Sequence, residues 1–450
     1  MLLKALRNAD GSSLIPGWVA FLFGVSLTTN VVYLFKVGNT AVYVGYVFAL
    51  CLAVIVVIRS GCLDLDLGAI DKSVWAFCGM ASLSFVVSFA LSVVGLVPND
   101  TPLVALRGLV VLACGLIVYG VTVVLDDSVQ EFLAGIGVGI VLSGIFSFVA
   151  QRAFDAGSYF TLYGWFPQES FSVSAQWDVW GQLPAGAGHI PSFRPQGLFL
   201  ETSHLMAFLV CFAPVAFITI KNRLLRVAVI AATAYCAVTS LSPNTLFLII
   251  EIICLWSFTK KGSIKSLAAR VRLNHAAVVG LLAGLFAAIV VLTFNSGIVV
   301  DAFGLISRGI SDLDVSGTND EGTLERFDSM IKALAVVPNY PLGSGWNTES
   351  IILQYWYGAG DVASHSYAVR LLIEVGIAGL VSYIYLIARH SSPLLGHRDS
   401  SFDYALGLAV VFLFVCQATN GTPLLPWAWA LLGLARVRGH SVKKGVDDAS

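Results

Sequence analysis

Apolar residues in this chain form long unbroken runs, neither alternating nor striped, and the runs recur from one end to the other. A helix crosses a bilayer core with about 20 consecutive apolar residues. The pattern therefore predicts an all-α fold: one polytopic transmembrane domain over residues 1–450, with about twelve transmembrane helices. Their expected limits are Leu14–Leu34, Ala41–Ile58, Val74–Val97, Leu103–Leu125, Phe132–Ala150, Leu198–Ile220, Val227–Leu241, Leu246–Phe258, Ala276–Phe294, Tyr367–Ile387, Tyr404–Ala418 and Leu424–Ala435. The two runs flanking Ser242-Pro243-Asn244 and the last run fall below the usual spanning length of about 17 residues.

Two stretches interrupt this rhythm, residues 151–197 and 295–366. The first is dense in aromatics, among them Trp165, Trp177 and Trp180, which favours packing or interfacial seating over disorder. In the second, Leu324, Phe327, Ile331 and Leu334 recur at helical spacing until Pro338, which predicts an amphipathic helix over 323–337.

Composition agrees with the pattern. The chain is 57% hydrophobic and 12% charged, against about a quarter charged in soluble proteins. A net charge of -1 with no basic patch, zinc-ligand spacing or dinucleotide glycine motif leaves nothing to carry nucleic-acid or nucleotide binding. Seven of the eight cysteines lie inside apolar runs and none in the two long stretches, so they read as small apolar core residues. The first apolar run lacks a small-residue cleavage pattern and reads as an uncleaved helix.

Charge also orients the chain. With both termini inside, eighteen of the 26 lysines and arginines fall on inner loops. Six (Lys36, Arg152, Arg194, Arg308, Arg326 and Lys332) fall outside, and Arg107 and Arg370 lie within spans. The positive-inside rule then places both long stretches on the outer face.

A face poor in positive charge makes its few arginines informative. Arg194 sits just before the sixth run and Arg326 on the polar side of the expected amphipathic helix. A guanidinium presents a planar fork of donors suited to phosphate. The competing readings are interfacial snorkelling, or pairing with an acid such as Glu325 or Asp328. His365 precedes the tenth run, with Ser366 and Tyr367 beside it, and can serve as a base, a phosphate donor or only a helix cap. Arg370 and Glu374 are one turn apart, which an ion pair explains as readily as chemistry. Glu201 can act as a base or neutralise an arginine, Arg107 lies near the outer end of the fourth run, and Glu251 reads as structural.

His365-Ser366, nine residues, then Gly376-Ile-Ala-Gly379 resembles the signature of the bacterial O-antigen ligase and O-antigen or exopolysaccharide polymerase superfamily. Arg326 with its helix and Pro341-Leu-Gly343-Ser-Gly345 look like the family's arginine helix and following turn. The stretch Arg194-Pro-Gln-Gly-Leu-Phe-Leu-Glu201-Thr-Ser is similar to a polymerase motif, with Thr202 where proline is usual. The match at residue level covers roughly 194–210 and 323–385.

The resemblance implies a metal-independent glycosyltransferase without cofactor in the bacterial inner membrane. It would act at the periplasmic face on an undecaprenyl-pyrophosphate-linked glycan donor, delivering it to a glycan or lipid A-core acceptor. Arg194 and Arg326 would hold the departing pyrophosphate, and His365 or Glu201 would take the acceptor proton, while Arg107, Arg370, Tyr367 and Ser366 would bind substrate. A chain-length regulator is a further partner it leaves room for, beside membrane lipid. The Gly-x-x-x-Glu stretch and long second loop favour a polymerase, the histidine signature a ligase. A lipid-linked glycan flippase is the reading from a different class, against which stand the absence of duplicated halves and the few charges deep in the runs.

Overall fold

The computed structural model describes residues 15–29, 33–37, 40–60, 70–125, 128–155, 196–199, 201–240, 242, 244–259, 329–358, 364–397, 400–421 and 424–447. Its helices are α1 Gly17–Ser26, α2 Val44–Ser60, α3 Lys72–Val93, α4 Thr101–Val124, α5 Val129–Asp155, α6 Thr202–Thr219, α7 Arg223–Ser240 and α8 Asn244–Thr259, followed by α9 Glu349–Tyr357, α10 Tyr367–Gly396, α11 Ser401–Asn420 and α12 Pro426–Asp447. Seven of them (α3 to α7, α10 and α11) are long and apolar enough to cross a membrane, and α1, α2 and α8 are shorter apolar helices. This is a predominantly helical protein built for a bilayer. The ninth expected run, Ala276–Phe294, lies outside the described residues.

Three local departures from the sequence expectation have physical causes. The first apolar run stops as a helix at Ser26, and strands β1 Tyr33–Val37 and β2 Thr40–Tyr43 pair antiparallel before α2 begins. Aromatic and β-branched residues on either side of Gly38-Asn39 suit a hairpin better than a helix. Helix α5 runs on to Asp155, into the stretch assigned to the first loop. Residues 329–336, the described part of the amphipathic helix expected over 323–337, are helical and end in a 3-10 turn, Val337–Asn339, around Pro338.

The centre of the bundle is α10, 30 residues long, packed against α3, α11 and α12. Trp427, Trp429, Tyr119, Tyr383, Phe208 and Phe212 are among the largest wholly buried side chains of the described residues. Inside a bilayer such packing is stabilised by dispersion and shape more than by removal from water. At the C-terminal end of α10, two buried aspartates pin the helix ends. Asp71 caps α3 through Ser73 and lies 2.7 Å from Arg436 and 3.6 Å from Arg389. Asp403, in the first turn of α11, lies 3.0 Å from Arg438 and 2.8 Å from His397. The N-terminal end of α10 is at the opposite end of the bundle, and there the chain of residues 329–358 folds over it.

Candidate functional site

Gly376 carries φ 75 and ψ -175 within α10, a left-handed extended geometry that interrupts the helix. The break leaves the carbonyls of Ile373 and Glu374 without helical partners. The turn Pro341–Gly345 supplies them: Ser344 donates its N–H (2.8 Å) and its hydroxyl (3.0 Å) to the Ile373 carbonyl, and Gly345 donates its N–H to the Glu374 carbonyl at 3.0 Å. A Cβ on Gly376 would come within 2.8 Å of the Leu342 carbonyl carbon, and one on Gly343 would strike the Glu374 backbone. Two motifs separated by some thirty residues in the sequence are thus one interlocked unit.

Above this lock lies a charged cluster. Arg370 Nε donates to Glu374 Oε1 at 2.9 Å and is 3.7 Å from Glu349 Oε2, and its Nη2 donates to Asn347 Oδ1 at 2.6 Å. Glu374 is buried (1% exposed) and Glu349 nearly so (12%). The one-turn ion pair expected from the spacing of Arg370 and Glu374 is present, joined by Glu349, the first residue of α9. Glu349 and Asn347 were not legible as site residues, because only the fold over the α10 break brings them to Arg370.

Glu349 also accepts from the Ser364 N–H at 2.8 Å, the residue before His365. The Ser364 hydroxyl donates to the Ser366 carbonyl at 3.0 Å, and the Ser366 hydroxyl caps α10 by accepting from the Val369 N–H. Between them His365 is exposed and held at φ 49. Gly421, the left-handed residue ending α11, closes on its backbone: a Cβ there would sit 3.1 Å from the His365 carbonyl carbon. Left-handed non-glycine residues persist only where the surroundings over-determine them, and here there are two, His365 and Asn347 at φ 66. Tyr367 is buried against Tyr383, ring centroids 5.8 Å apart, with no partner for its hydroxyl among the described residues.

A small apolar cluster of Val97, Ala333, Val336, Tyr340, Ile352, Leu353, Val369 and Ile373 seats this cap on the bundle. The Tyr340 hydroxyl accepts from Trp356 Nε1 (3.0 Å) and donates to the Leu96 carbonyl (3.1 Å), tying the cap to the α3–α4 connection.

The structure brings His365, Ser366, Tyr367 and Arg370 together. Arg107, on α4, borders the same region, since its neighbour Gly108 lies against Trp346 and Asn347. Glu201 is exposed at the start of α6, where it accepts from Ser203 at 3.0 Å. Its helix meets the beginning of α12 through Phe208 and Trp427, at the same end of the bundle. Arg194 and Arg326 lie outside the described residues. Among the described residues, no group of three or more His, Cys, Asp and Glu side chains is placed to hold a metal ion. No protein-family model matches the chain, and no curated protein matches it.

Proposed function

We propose that this chain is a multi-pass glycosyltransferase of the bacterial inner membrane, with cytoplasmic termini and a periplasmic site. It would polymerise undecaprenyl-pyrophosphate-linked oligosaccharide repeat units into O-antigen or exopolysaccharide. The observation that carries this reading is the docking of the Pro341–Gly345 turn into the break at Gly376, which gathers the two stretches resembling the polymerase and ligase superfamily at one end of the bundle.

The reaction is one displacement. A hydroxyl oxygen of the acceptor attacks the anomeric carbon of the donor glycan, the bond from that carbon to pyrophosphate oxygen breaks, and undecaprenyl pyrophosphate departs with the electron pair. His365, exposed at the mouth of α10, takes the hydroxyl proton, with Glu201 the rival base. Arg194 and Arg326 stabilise the negative charge growing on the pyrophosphate, an electrostatic contribution that often dominates catalysis. Arg370 is committed to Glu374, Glu349 and Asn347 and so orders the site from beneath.

The spacing of His365 and Gly376 supports a second reading, a ligase that delivers the glycan to lipid A-core. Purified protein incubated with a lipid-pyrophosphate repeat unit, with and without lipid A-core, separates them. A product ladder without core supports the polymerase, product only with core supports the ligase, and no transfer under either condition removes both.

A further inference from the structure

Glu251 is the sole charged residue of α8, and the sequence leaves it only a structural role. The structure gives that role no partner. The side chain is wholly buried, and neither carboxyl oxygen has a hydrogen-bond partner among the described residues. On the other side of α8, Leu246, Ile249, Ile253 and Trp256 form an exposed apolar face that suits lipid. At about 100° per residue Glu251 points about 160° away from Ile249 and Ile253. It is therefore turned into the bundle, where α8 packs on α6 and α11 and touches α7.

None of those helices brings a cation to it. The titratable groups that feel its charge are thiols: Cys211 of α6, Cys416 of α11 and Cys254 of α8 itself. On α6 the other titratable residue, His204, lies in the first turn, well before Cys211. On α11 Asp403 and Tyr404 lie at the opposite end from Cys416, and Asp403 is bound to Arg438 and His397. On α7 the cations Arg223 and Arg226 occupy the first turn, at the end remote from the start of α8, and Arg226 donates to the Ile220 carbonyl at 3.0 and 2.6 Å. Tyr235 and Cys236 of α7 carry no positive charge.

An unpaired carboxylate in an apolar interior costs several kcal/mol or more, and an acid avoids that cost by keeping its proton. A metal ion is a poor alternative occupant. Hard divalent cations need a shell of several oxygens, whereas the flanking groups here are thiols. Among the described residues no three His, Cys, Asp and Glu side chains are placed to hold a metal. A proton needs no such shell.

We infer that Glu251 is a proton-binding site within the membrane, and that its bound proton latches α8 against α6 and α11. Ionising the carboxyl then requires α8 to move off the bundle. That motion reaches the start of α6, because Asn244 Nδ2 at the head of α8 donates to the Ser203 carbonyl at 3.1 Å, and the Ser203 hydroxyl donates to Glu201. The site stands apart from the transferase reading and is tested without transfer activity.

The test uses the full-length protein in nanodiscs. At about pH 7 the infrared difference between wild type and Glu251→Gln should contain the carbonyl stretch of a neutral carboxylic acid and no carboxylate band. Hydrogen exchange over residues 244–259 tests the latch. One proton leaves per opening, so each pH unit should raise the open population about tenfold. Wild-type α8 should show that rise on top of the intrinsic base-catalysed increase in exchange. Helix α3 of the same molecule, and α8 of Glu251→Gln, should show the intrinsic increase alone. Should the variant fail to fold, the comparison of α8 with α3 in the wild type decides by itself. A carboxylate band in place of the acid band overturns the site, and equal pH slopes for α8 and α3 overturn the latch.

Discussion

The backbone N–H of Gly345 donates to the carbonyl of Glu374 at 3.0 Å, replacing a helical hydrogen bond that the break at Gly376 removes. The arrangement depends on Gly376 holding φ 75 with no Cβ against the Pro341–Gly343 backbone. Gly376→Ala should therefore lower stability by at least about 2 kcal/mol. It should also abolish transfer, because the cap that holds Glu349 and Asn347 loses its seat. Thermal unfolding in detergent reads the first effect, with Gly120→Ala as the control. A Cβ at Gly120 meets nothing within 4 Å, so that change should be neutral or mildly stabilising. Equal melting temperatures for Gly376→Ala and wild type would remove the lock from the account.

The Arg370 cluster should respond asymmetrically. Glu374 is the more deeply buried acid and makes the shorter contact, so Glu374→Ala leaves Arg370 with only the more distant Glu349 as counter-charge and should cost about 3 kcal/mol. Glu349→Ala, at 3.7 Å and closer to solvent, should cost less in stability yet more in transfer rate, because it also releases Ser364 beside His365. Paired measurements of unfolding and kcat on both variants check the ordering, and an inverted order on either scale counts against it.

At His365, backbone strain and side-chain chemistry can be separated. Asparagine tolerates the left-handed conformation better than most residues, so His365→Asn should fold normally. If the imidazole takes the acceptor proton, the variant should still lose at least about a hundredfold in transfer rate. Its Arg194→Lys and Arg326→Lys counterparts should also be damaging if phosphate is held by a bidentate fork, since lysine offers a point charge only. Normal glycan length in all three strains, at normal membrane levels, would dismiss the site.

Asp71 sets an acid limit on stability. Burial pushes its pKa up, but hydrogen bonds from the Ser73 N–H and hydroxyl, with the Arg436 guanidinium nearby, outweigh it and hold the carboxyl below its ordinary value. A carboxylate with a depressed folded pKa contributes stability that is fully present above its unfolded pKa of about 3.9 and is lost as pH falls through the folded value. Melting temperature should therefore drop as the pH is taken below about 4. Asp71→Asn should be less stable at neutral pH and flatter across that acid range, and a parallel pH profile would exclude Asp71 as the source.

Much of the helical plan was legible before any coordinates. Runs such as Val74–Val97 and Leu103–Leu125 closely anticipate α3 and α4, because a bilayer demands length and apolarity and both are properties of a local stretch. The ends of the first two runs, at residues 33–34 and 41–43, were misread for the same reason. Hydropathy registers how apolar Tyr33, Leu34 and Val42 are, but it does not register that the chain around them suits a hairpin. The 3-10 turn around Pro338 followed the expected stop, whereas α9, with few residues and weak periodicity, left no trace.

The sequence by itself determined that the chain is a helical membrane protein and that His365, Arg370 and Glu374 share the mouth of one helix. These are properties of neighbours, set by helical geometry and by the cost of burying charge in lipid. What only the tertiary structure decided is which distant groups complete that mouth. Glu349 and Asn347 reach Arg370, and Arg107 borders them, because a break at Gly376 exposes two carbonyls that a glycine-rich turn can satisfy. Backbone hydrogen bonds left open in an apolar setting must find partners, and where they find them is a property of the folded chain as a whole.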